Sequence, residues 1–241
     1  MKINGFDTEE EYGVKEWTVA PAHLELTNAD TAWPSGFDVP ILFDASPGLK
    51  TYKATMMVKA KERKEMWSMA SRFIGALMKP CEIEFDDFDT KFYGVIKDTN
   101  HTENVLRRWH KLEVNLIGYE YDDEETVRFS GKTQMVIVNY GTIRCPCSVE
   151  IMPLEEIPKM TLFGMTANRY TGKDNGIVFY DLKQGETAVI NRKTGKMTYG
   201  GVNAASKIEL YQMPSLVAGE NEIICDSSAV EIKISYNPMY A

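Results

Sequence analysis

Residues 59–96 read KAKERKEMWSMASRFIGALMKPCEIEFDDFDTKFYGVI, and they decide the fold because a helix pattern runs directly into a hairpin pattern. Between residues 60 and 78 the apolar side chains recur every three or four positions, which predicts one amphipathic helix. Its apolar stripe consists of Met66, Trp67, Met69, Ala70, Phe73, Ile74, Leu77 and Met78. Pro80 cannot continue a helix and disfavours helical geometry at Lys79, so we expect the helix to end there.

After Pro80 the pattern changes to strict alternation, which predicts a strand, a polar turn and a returning strand. Further strands are predicted at residues 3–6, 12–19, 50–59 and 107–121. Residues 31–48 hold three prolines and two glycines and predict a long surface loop around the apolar residues 39–43. The first half is therefore expected to be a β domain with one long helix.

The second half shows short strand patterns separated by turn signals, as in a β-sandwich or jelly roll. A charge block at residues 120–125 predicts a solvated junction, and we place the domain boundary near Gly131, giving domains 1–131 and 132–241. Gly195 follows Asn191-Arg192-Lys193-Thr194, where a left-handed residue would close a hairpin. The predicted fold class is mainly β throughout.

Composition excludes several classes of function. The formal charge of −8 argues against a dedicated binder of nucleic acid or anionic membranes, because both need a basic surface. No apolar stretch indicates a secretory signal or a membrane span. The four cysteines are scattered and predict free thiols in a reducing cytosol rather than a disulfide framework.

The residues that could carry catalysis or bind a metal do not form a recognised motif. His23, His101 and His110 have no zinc-site spacing, and Cys145-Pro146-Cys147 is a single close pair where zinc sites favour two. Nucleophile-elbow and phosphate-loop motifs are also absent from the sequence. We therefore predict no enzyme activity, no cofactor and no metal.

Several motifs together resemble the distal tail protein (Dit) family of long-tailed bacteriophages and related prophages. In the first half these are the opening Asn4-Gly5-Phe6, the helix and hairpin ending in Phe92-Tyr93-Gly94-Val95, and the strand at 109–119. In the second half they are Ile190-Asn191 with Thr194-Gly195, Met213-Pro214-Ser215-Leu216 with Gly219-Glu220-Asn221, and residues 230–238. The resemblance covers essentially the whole chain.

The resemblance implies a tail-tube-like domain that assembles into a hexameric ring, and a galectin-like β-sandwich outside it whose last residues can pack back on the first domain. Such a ring joins the tail tube to the tail tip or baseplate of the virion and leaves a channel for DNA. The implied partners are the tail-tube protein, the tail-tip hub or tail-associated lysin, and receptor-binding proteins. Synthesis would take place in the cytoplasm of the bacterial host.

Two groups of residues are candidates for roles in such a ring. The acidic residues of the predicted hairpin could face the channel, or could form an ordinary solvated strand face: Glu82, Glu84, Asp86, Asp87 and Asp89. The apolar residues of the predicted loop could form ring contacts, or could fold onto their own core: Trp33, Phe37, Ile41, Leu42 and Phe43. The alternative function is a carbohydrate-binding adhesion module. Its candidate platforms, which could instead be ordinary cross-strand packing, are Tyr170, Tyr180, Tyr199 and Tyr211.

Overall fold

The structure is a computed structural model that describes residues 1–27, 31–32, 41–42, 46–106, 109–166 and 174–241. It divides into two compact units, Met1–Asp122 and Asp123–Tyr240. The predicted boundary near Gly131 lies further along the chain. The difference arises because strand Glu125–Ser130 pairs with Val230–Tyr236 and so forms part of the second unit.

The elements of the two units are as follows. The first unit contains β1 (Lys2–Ile3), β2 (Phe6–Asp7), α1 (Thr8–Tyr12), β3 (Val14–Thr27), β4 (Thr31–Ala32), β5 (Ile41–Leu42), β6 (Ser46–Lys59), α2 (Arg63–Leu77), β7 (Cys81–Glu84), β8 (Lys91–Leu106) and β9 (Trp109–Tyr121). The second contains β10 (Glu125–Ser130), β11 (Gln134–Asn139), β12 (Cys145–Pro153), β13 (Ile157–Phe163), β14 (Ile177–Leu182), β15 (Ala188–Ile190), β16 (Met197–Tyr199), β17 (Val202–Asn203), β18 (Ile208–Glu209), β19 (Ser215–Leu216), β20 (Gly219–Cys225), β21 (Val230–Tyr236) and β22 (Met239–Tyr240). Neither helix of these described ranges has the length and apolarity that a membrane span requires.

The main sheet of the first unit runs in the order β2-β1-β7-β8-β9-β6-β3, with antiparallel pairing throughout. Its two ends approach each other, because the short helix α1 alone connects β2 to β3. At this seam the α-ammonium of Met1 lies 2.6 Å from Asp86 Oδ1 and 3.3 Å from Glu16 Oε2. The sheet therefore curls around its core.

Helix α2 confirms the prediction from the apolar periodicity and ends before Pro80. Met66, Ala70, Phe73 and Leu77 are buried against the sheet. Trp67 and Met78, which we assigned to the same stripe, are instead 46% and 71% exposed. The buried stripe of α2 is therefore narrower than the apolar stripe that the sequence predicted.

Helix α1 was not predicted, because the acidic residues 7–11 were assigned no element between the predicted strands 3–6 and 12–19. Asp7 caps this helix by accepting hydrogen bonds from the backbone N–H groups of Glu9 (2.8 Å) and Glu10 (3.1 Å). Gly13 ends it in the left-handed conformation at φ 69°. Five residues are too few for a periodic apolar pattern, so the caps are the only signals of the helix in the sequence.

Strands β8 and β9 form one long hairpin, whereas no strand was predicted between residues 96 and 107. Pairing continues to Leu106 and Trp109, with register shifts after Ile96 and Thr102. Where the hairpin is tightest, a Cβ on Gly118 would lie 2.1 Å from the carbonyl oxygen of Tyr93. Glycine is needed there because a side chain would collide with backbone.

The second unit is a sandwich of two antiparallel sheets, as the strand spacing predicted. One sheet runs β10-β21-β12-β15-β16-β17 and the other β11-β20-β13-β14-β18. Their apolar faces bury a common core that includes Phe179, Ile151, Met160 and Ile232. Gly195 has φ 66° and closes the β15–β16 hairpin by donating its N–H to Asn191, which confirms the predicted turn.

In the Gly219-Glu220-Asn221 motif, the side chain of Asn221 holds the preceding loop by hydrogen bonds. Its Oδ1 accepts a hydrogen bond from the Val217 N–H at 2.8 Å, and its Nδ2 donates to the Val217 and Gly219 carbonyls at 2.9 Å each. This side chain fixes the loop before β20. Leu216, which precedes the loop's hydrogen bonds, is fully buried.

Candidate functional site

The predicted acidic residues lie on β7 and in the turn that follows it. Cys81 and Ile83 point into the core, so Glu82 and Glu84 project from the opposite, outward face of the sheet. Glu84 lies beside Lys2 of β1 and Lys91 of β8, and Glu82 lies beside Tyr93 of β8. The structure thus brings the acidic residues together at one end of the sheet, and we call them the acidic hairpin.

Three members of the acidic hairpin have partners within the unit. Glu84 lies 3.6 Å from the Lys2 ammonium, Glu82 accepts a hydrogen bond from the Tyr121 hydroxyl, and Asp86 accepts one from the Met1 α-ammonium. Asp87 and Asp89 are exposed in the turn. Their charge is the most accessible part of the acidic hairpin.

Glu16, at the seam behind the acidic hairpin, is a buried carboxylate. Its Oε2 accepts a hydrogen bond from the Asp86 N–H at 3.3 Å, and its Oε1 has no hydrogen-bond partner. Burial raises the pKa of Glu16, which the Asp86 N–H and the nearby α-ammonium only partly oppose. The Met1 α-ammonium, 3.3 Å from Glu16 Oε2, partly offsets the negative charge of this carboxylate.

A tyrosine cluster that the sequence analysis did not single out lies next to the acidic hairpin. Tyr93 and Tyr119 face each other across β8 and β9 with ring centroids 5.6 Å apart, and Tyr121 follows at 5.8 Å from Tyr119. Tyr93 is 38% exposed and Tyr119 37% exposed. Only the strand register shows that these rings meet Glu82.

At the same end of the sheet, the partly buried Glu120 carboxylate bonds to three polar side chains. It accepts hydrogen bonds from Lys50 Nζ (2.5 Å), Thr90 Oγ1 (2.5 Å) and the Tyr52 hydroxyl (2.6 Å). Burial raises the pKa of Glu120, but these three hydrogen bonds outweigh it, so the pKa lies below its ordinary value. Burial and the Glu120 contact raise the pKa of Tyr52.

The opposite end of the outward face carries lysines. Glu113 lies 2.5 Å from Lys111 Nζ and 3.2 Å from Lys53 Nζ, and these contacts lower its pKa. Lys59 Nζ lies 5.2 Å from the centre of the Trp109 ring, within cation–π range. This is a basic and aromatic area on an acidic protein.

The predicted ring-contact residues are mostly beyond what the structure describes. Trp33, Phe37 and Phe43 lie outside the described residues, and Ile41 and Leu42 form β5, which pairs with β4, without described side chains. Their role in subunit contacts remains a prediction.

The four cysteines and His110 are buried within the described chain. All four cysteines are unpaired and buried, and burial raises their pKa, to about 11 for Cys145. His110 is buried in β9. Within the described ranges, no group of acidic, histidine and cysteine side chains has the arrangement of a metal site.

The candidate sugar platforms of the second unit are largely covered. Tyr199 is buried, while Tyr180 donates its hydroxyl to Glu209 at 2.8 Å and has Lys159 Nζ 5.8 Å from its ring centre. Tyr211 is 77% exposed, and Tyr170 lies outside the described residues. No built sugar site is visible in the part of the second unit that the structure describes.

Residues 141–240 match the family model of the siphovirus-type tail component, C-terminal domain. No curated protein matches significantly.

Among solved structures, the chain is similar to the Dit protein (gp 19.1) of phage SPP1, described as a paradigm of the hub adsorption apparatus in phages that infect Gram-positive bacteria. The TM-score is 0.76 at 10% identity, over 99% of this chain and 98% of that chain. The activated, calcium-bound baseplate of phage P2 matches with a TM-score of 0.46 at 13% identity, over 95% of this chain and 92% of that chain. The family-model match and the similarity to SPP1 Dit confirm the resemblance to the distal tail protein family, and the latter shows the Dit fold.

Proposed function

We propose that this chain is a structural protein of a phage tail tip or baseplate, located in the virion. The observation that carries the proposal is the shared fold along nearly the whole of both chains with SPP1 Dit. The family-model match over the second unit supports the same role independently.

We further propose that six copies close into a ring that joins the tail tube to the tail tip and leaves a channel for DNA. Its neighbours would be the tail-tube protein on one side and the tail-tip hub or tail-associated lysin on the other, with receptor-binding proteins at the periphery. The predicted loop residues Trp33, Phe37, Ile41, Leu42 and Phe43 remain candidates for the ring contacts.

The acidic hairpin is our candidate for the wall of the channel. A wall that lets DNA pass must not hold phosphate, and carboxylates repel it. Of the five acidic residues, Asp87 and Asp89 are best suited, because Glu82, Glu84 and Asp86 already have partners within the unit.

Electron microscopy of the full-length protein, mixed with its tail-tube protein and imaged also in intact virions, tests this function. We expect a ring with a central opening built from residues 1–122, capping the end of the tube. An isolated appendage without such an opening would overturn the ring. Absence of the protein from purified virions would overturn the structural role itself.

A further inference from the structure

Among the described residues of the first unit, four of the five most exposed large apolar side chains lie around its two helices. Phe6 is 65% exposed and Trp17 is 56% exposed, on the two strands that α1 connects. Trp67 in α2 and Met78 at its C-terminal end are 46% and 71% exposed. Single exposed apolar residues are ordinary on a protein surface, but several large ones around the same elements indicate an interaction surface.

Trp17 is directed outward by an irregularity in β3. Glu16 lies opposite Met56 and Thr18 lies opposite Thr55, so Trp17 has no partner in the β3–β6 register. A bulge of this kind redirects a side chain, and β3 is the last strand in the order of the sheet. The ring therefore lies at the sheet edge beside α1, next to exposed glutamates. We call this area the α1 surface, and it consists of Phe6, Glu9, Glu10, Glu11 and Trp17.

A second area runs along one side of α2. At 3.6 residues per turn, Trp67, Ile74 and Met78 fall in one row, about 90° around the helix from the row that is buried against the sheet. Lysines lie at both ends of this row, because Lys64 is one turn before Trp67 and Lys79 follows Met78. We call this area the α2 flank, and it consists of Lys64, Trp67, Ile74, Met78 and Lys79.

The α1 surface and the α2 flank lie on opposite sides of α2. Helix α1 contacts the side of α2 that carries Met69 and Phe73. A Cβ added to Gly13 would lie 2.9 Å from Met69 Cε, and the ring centroids of Tyr12 and Phe73 are 6.1 Å apart. Met69 is about 160° around the helix from Trp67. The two areas therefore cannot contact each other within one molecule.

The two areas have opposite charge. On the α1 side, five glutamates outnumber the two basic residues Lys15 and Arg72; these glutamates are Glu9, Glu10, Glu11, Glu62 and Glu65. Glu9 lies 3.7 Å from Lys15 Nζ. By contrast, four exposed residues have no ion pair within the described part of the chain, and they are Glu10 and Glu11 on one side of α2 and Lys64 and Lys79 on the other. Each area therefore keeps charge that a partner can neutralise.

We propose that the α2 flank of one copy docks on the α1 surface of a second copy. The occupant is a second copy because one chain carries both halves of the pair: lysines around an apolar row, and glutamates between two aromatic rings. The ammonium groups are also attracted to the exposed Trp17 ring. Because the two areas lie on opposite sides of α2, the contact repeats head to tail, and such a contact closes into a ring when the rotation allows it. This inference rests on the proposed assembly and names the surfaces that meet.

Two variants and their mixture test the head-to-tail contact. Variant K64Q/M78Q weakens the α2 flank, and variant E10Q/W17Q weakens the α1 surface. By analytical ultracentrifugation at low salt, we expect the native protein to form species of more than two copies. Each variant alone should associate at least about tenfold more weakly.

The equimolar mixture of the two variants gives the sharper result. The intact α1 surface of K64Q/M78Q can bind the intact α2 flank of E10Q/W17Q, but neither molecule can continue the series. We therefore expect pairs that contain one copy of each variant and no larger species. A contact between identical surfaces would give no such recovery.

The control variant K196Q/V202Q makes the same types of change at exposed residues of the second unit. It should associate like the native protein, and thermal unfolding should show that all three variants are folded.

Three results would overturn the proposal: native protein that stays monomeric up to about 1 mM, folded flank and surface variants that associate normally, or a mixture that forms no pairs. None of them would contradict the structural role in the tail. That role fails separately if the protein is absent from virions.

Discussion

Glu120 shows how a single carboxylate can stabilise one end of the first sheet. Its hydrogen bonds from Lys50, Tyr52 and Thr90 connect β6, β9 and the turn before β8. Replacement by glutamine removes the charge and leaves these donors poorly matched. We expect Glu120→Gln to lower the free energy of unfolding at pH 7 by about 1–3 kcal/mol.

The Glu120 carboxylate also makes the free energy of unfolding depend on pH. Because the folded-state pKa of Glu120 is lowered, its contribution is present above the unfolded value of about 4.3 and is lost as the pH falls through the folded value. The difference between native protein and Glu120→Gln should therefore shrink below about pH 4. Urea unfolding followed by tryptophan fluorescence measures it, since all four tryptophans lie within residues 1–122. The exposed Glu220→Gln is the control for the substitution and should leave the free energy of unfolding at pH 7 unchanged.

Two glycines of the first unit provide an opposed pair of substitutions. At Gly118 an added Cβ would lie 2.1 Å from a backbone oxygen and 2.6 Å from Gly94 Cα, while at Gly75, in α2, it would meet nothing within 4 Å. We expect Gly118→Ala to destabilise by at least about 2 kcal/mol. Gly75→Ala should stabilise by about 0.5–1 kcal/mol, because alanine loses less backbone entropy in a helix. If both substitutions changed the free energy of unfolding equally in urea, the close approach of β8 and β9 at Gly118 would be contradicted.

At the scale of elements, α1 depends on its N-cap. Asp7→Ala removes the acceptor for the Glu9 and Glu10 N–H groups and should cost about 1 kcal/mol. Asp7→Asn keeps an acceptor oxygen and should cost much less. Hydrogen exchange of the α1 amides would check this, and equal protection in both variants would show that the cap is unimportant.

Sequence patterns predicted those elements whose signal is local and long. The 3.6-residue period and Pro80 gave α2 nearly to its ends, and alternation separated the buried from the outward residues of β9. Helix α1 is too short for any period. The extension of β8 to Leu106 arises from cross-strand pairing with β9, which overrides the polar composition of residues 99–104.

The candidate site was predictable only in part for the same reason. The acidic residues of β7 and its turn are neighbours in sequence, so their clustering was visible. The tyrosine cluster beside Glu82 joins β7, β8 and β9, and the seam joins Met1, Glu16 and Asp86. Both therefore depend on register and curvature that no local pattern specifies.

At the scale of the whole molecule, each unit has its own buried core. Phe179 is fully buried in the core of the second unit, and Phe179→Ala should destabilise that unit by about 3–5 kcal/mol. Loss of hydrogen-exchange protection in β13 and β14 would report it. Val202→Ala, at a side chain that is 68% exposed, is the matched control and should leave protection unchanged.

The burial of all four cysteines makes this protein convenient for site-directed labelling. Because their thiols are shielded and held in the protonated form, a cysteine introduced at the surface would react with maleimide far faster than any native one. Fluorophores or spin labels could then report distances between copies without prior removal of the natural thiols.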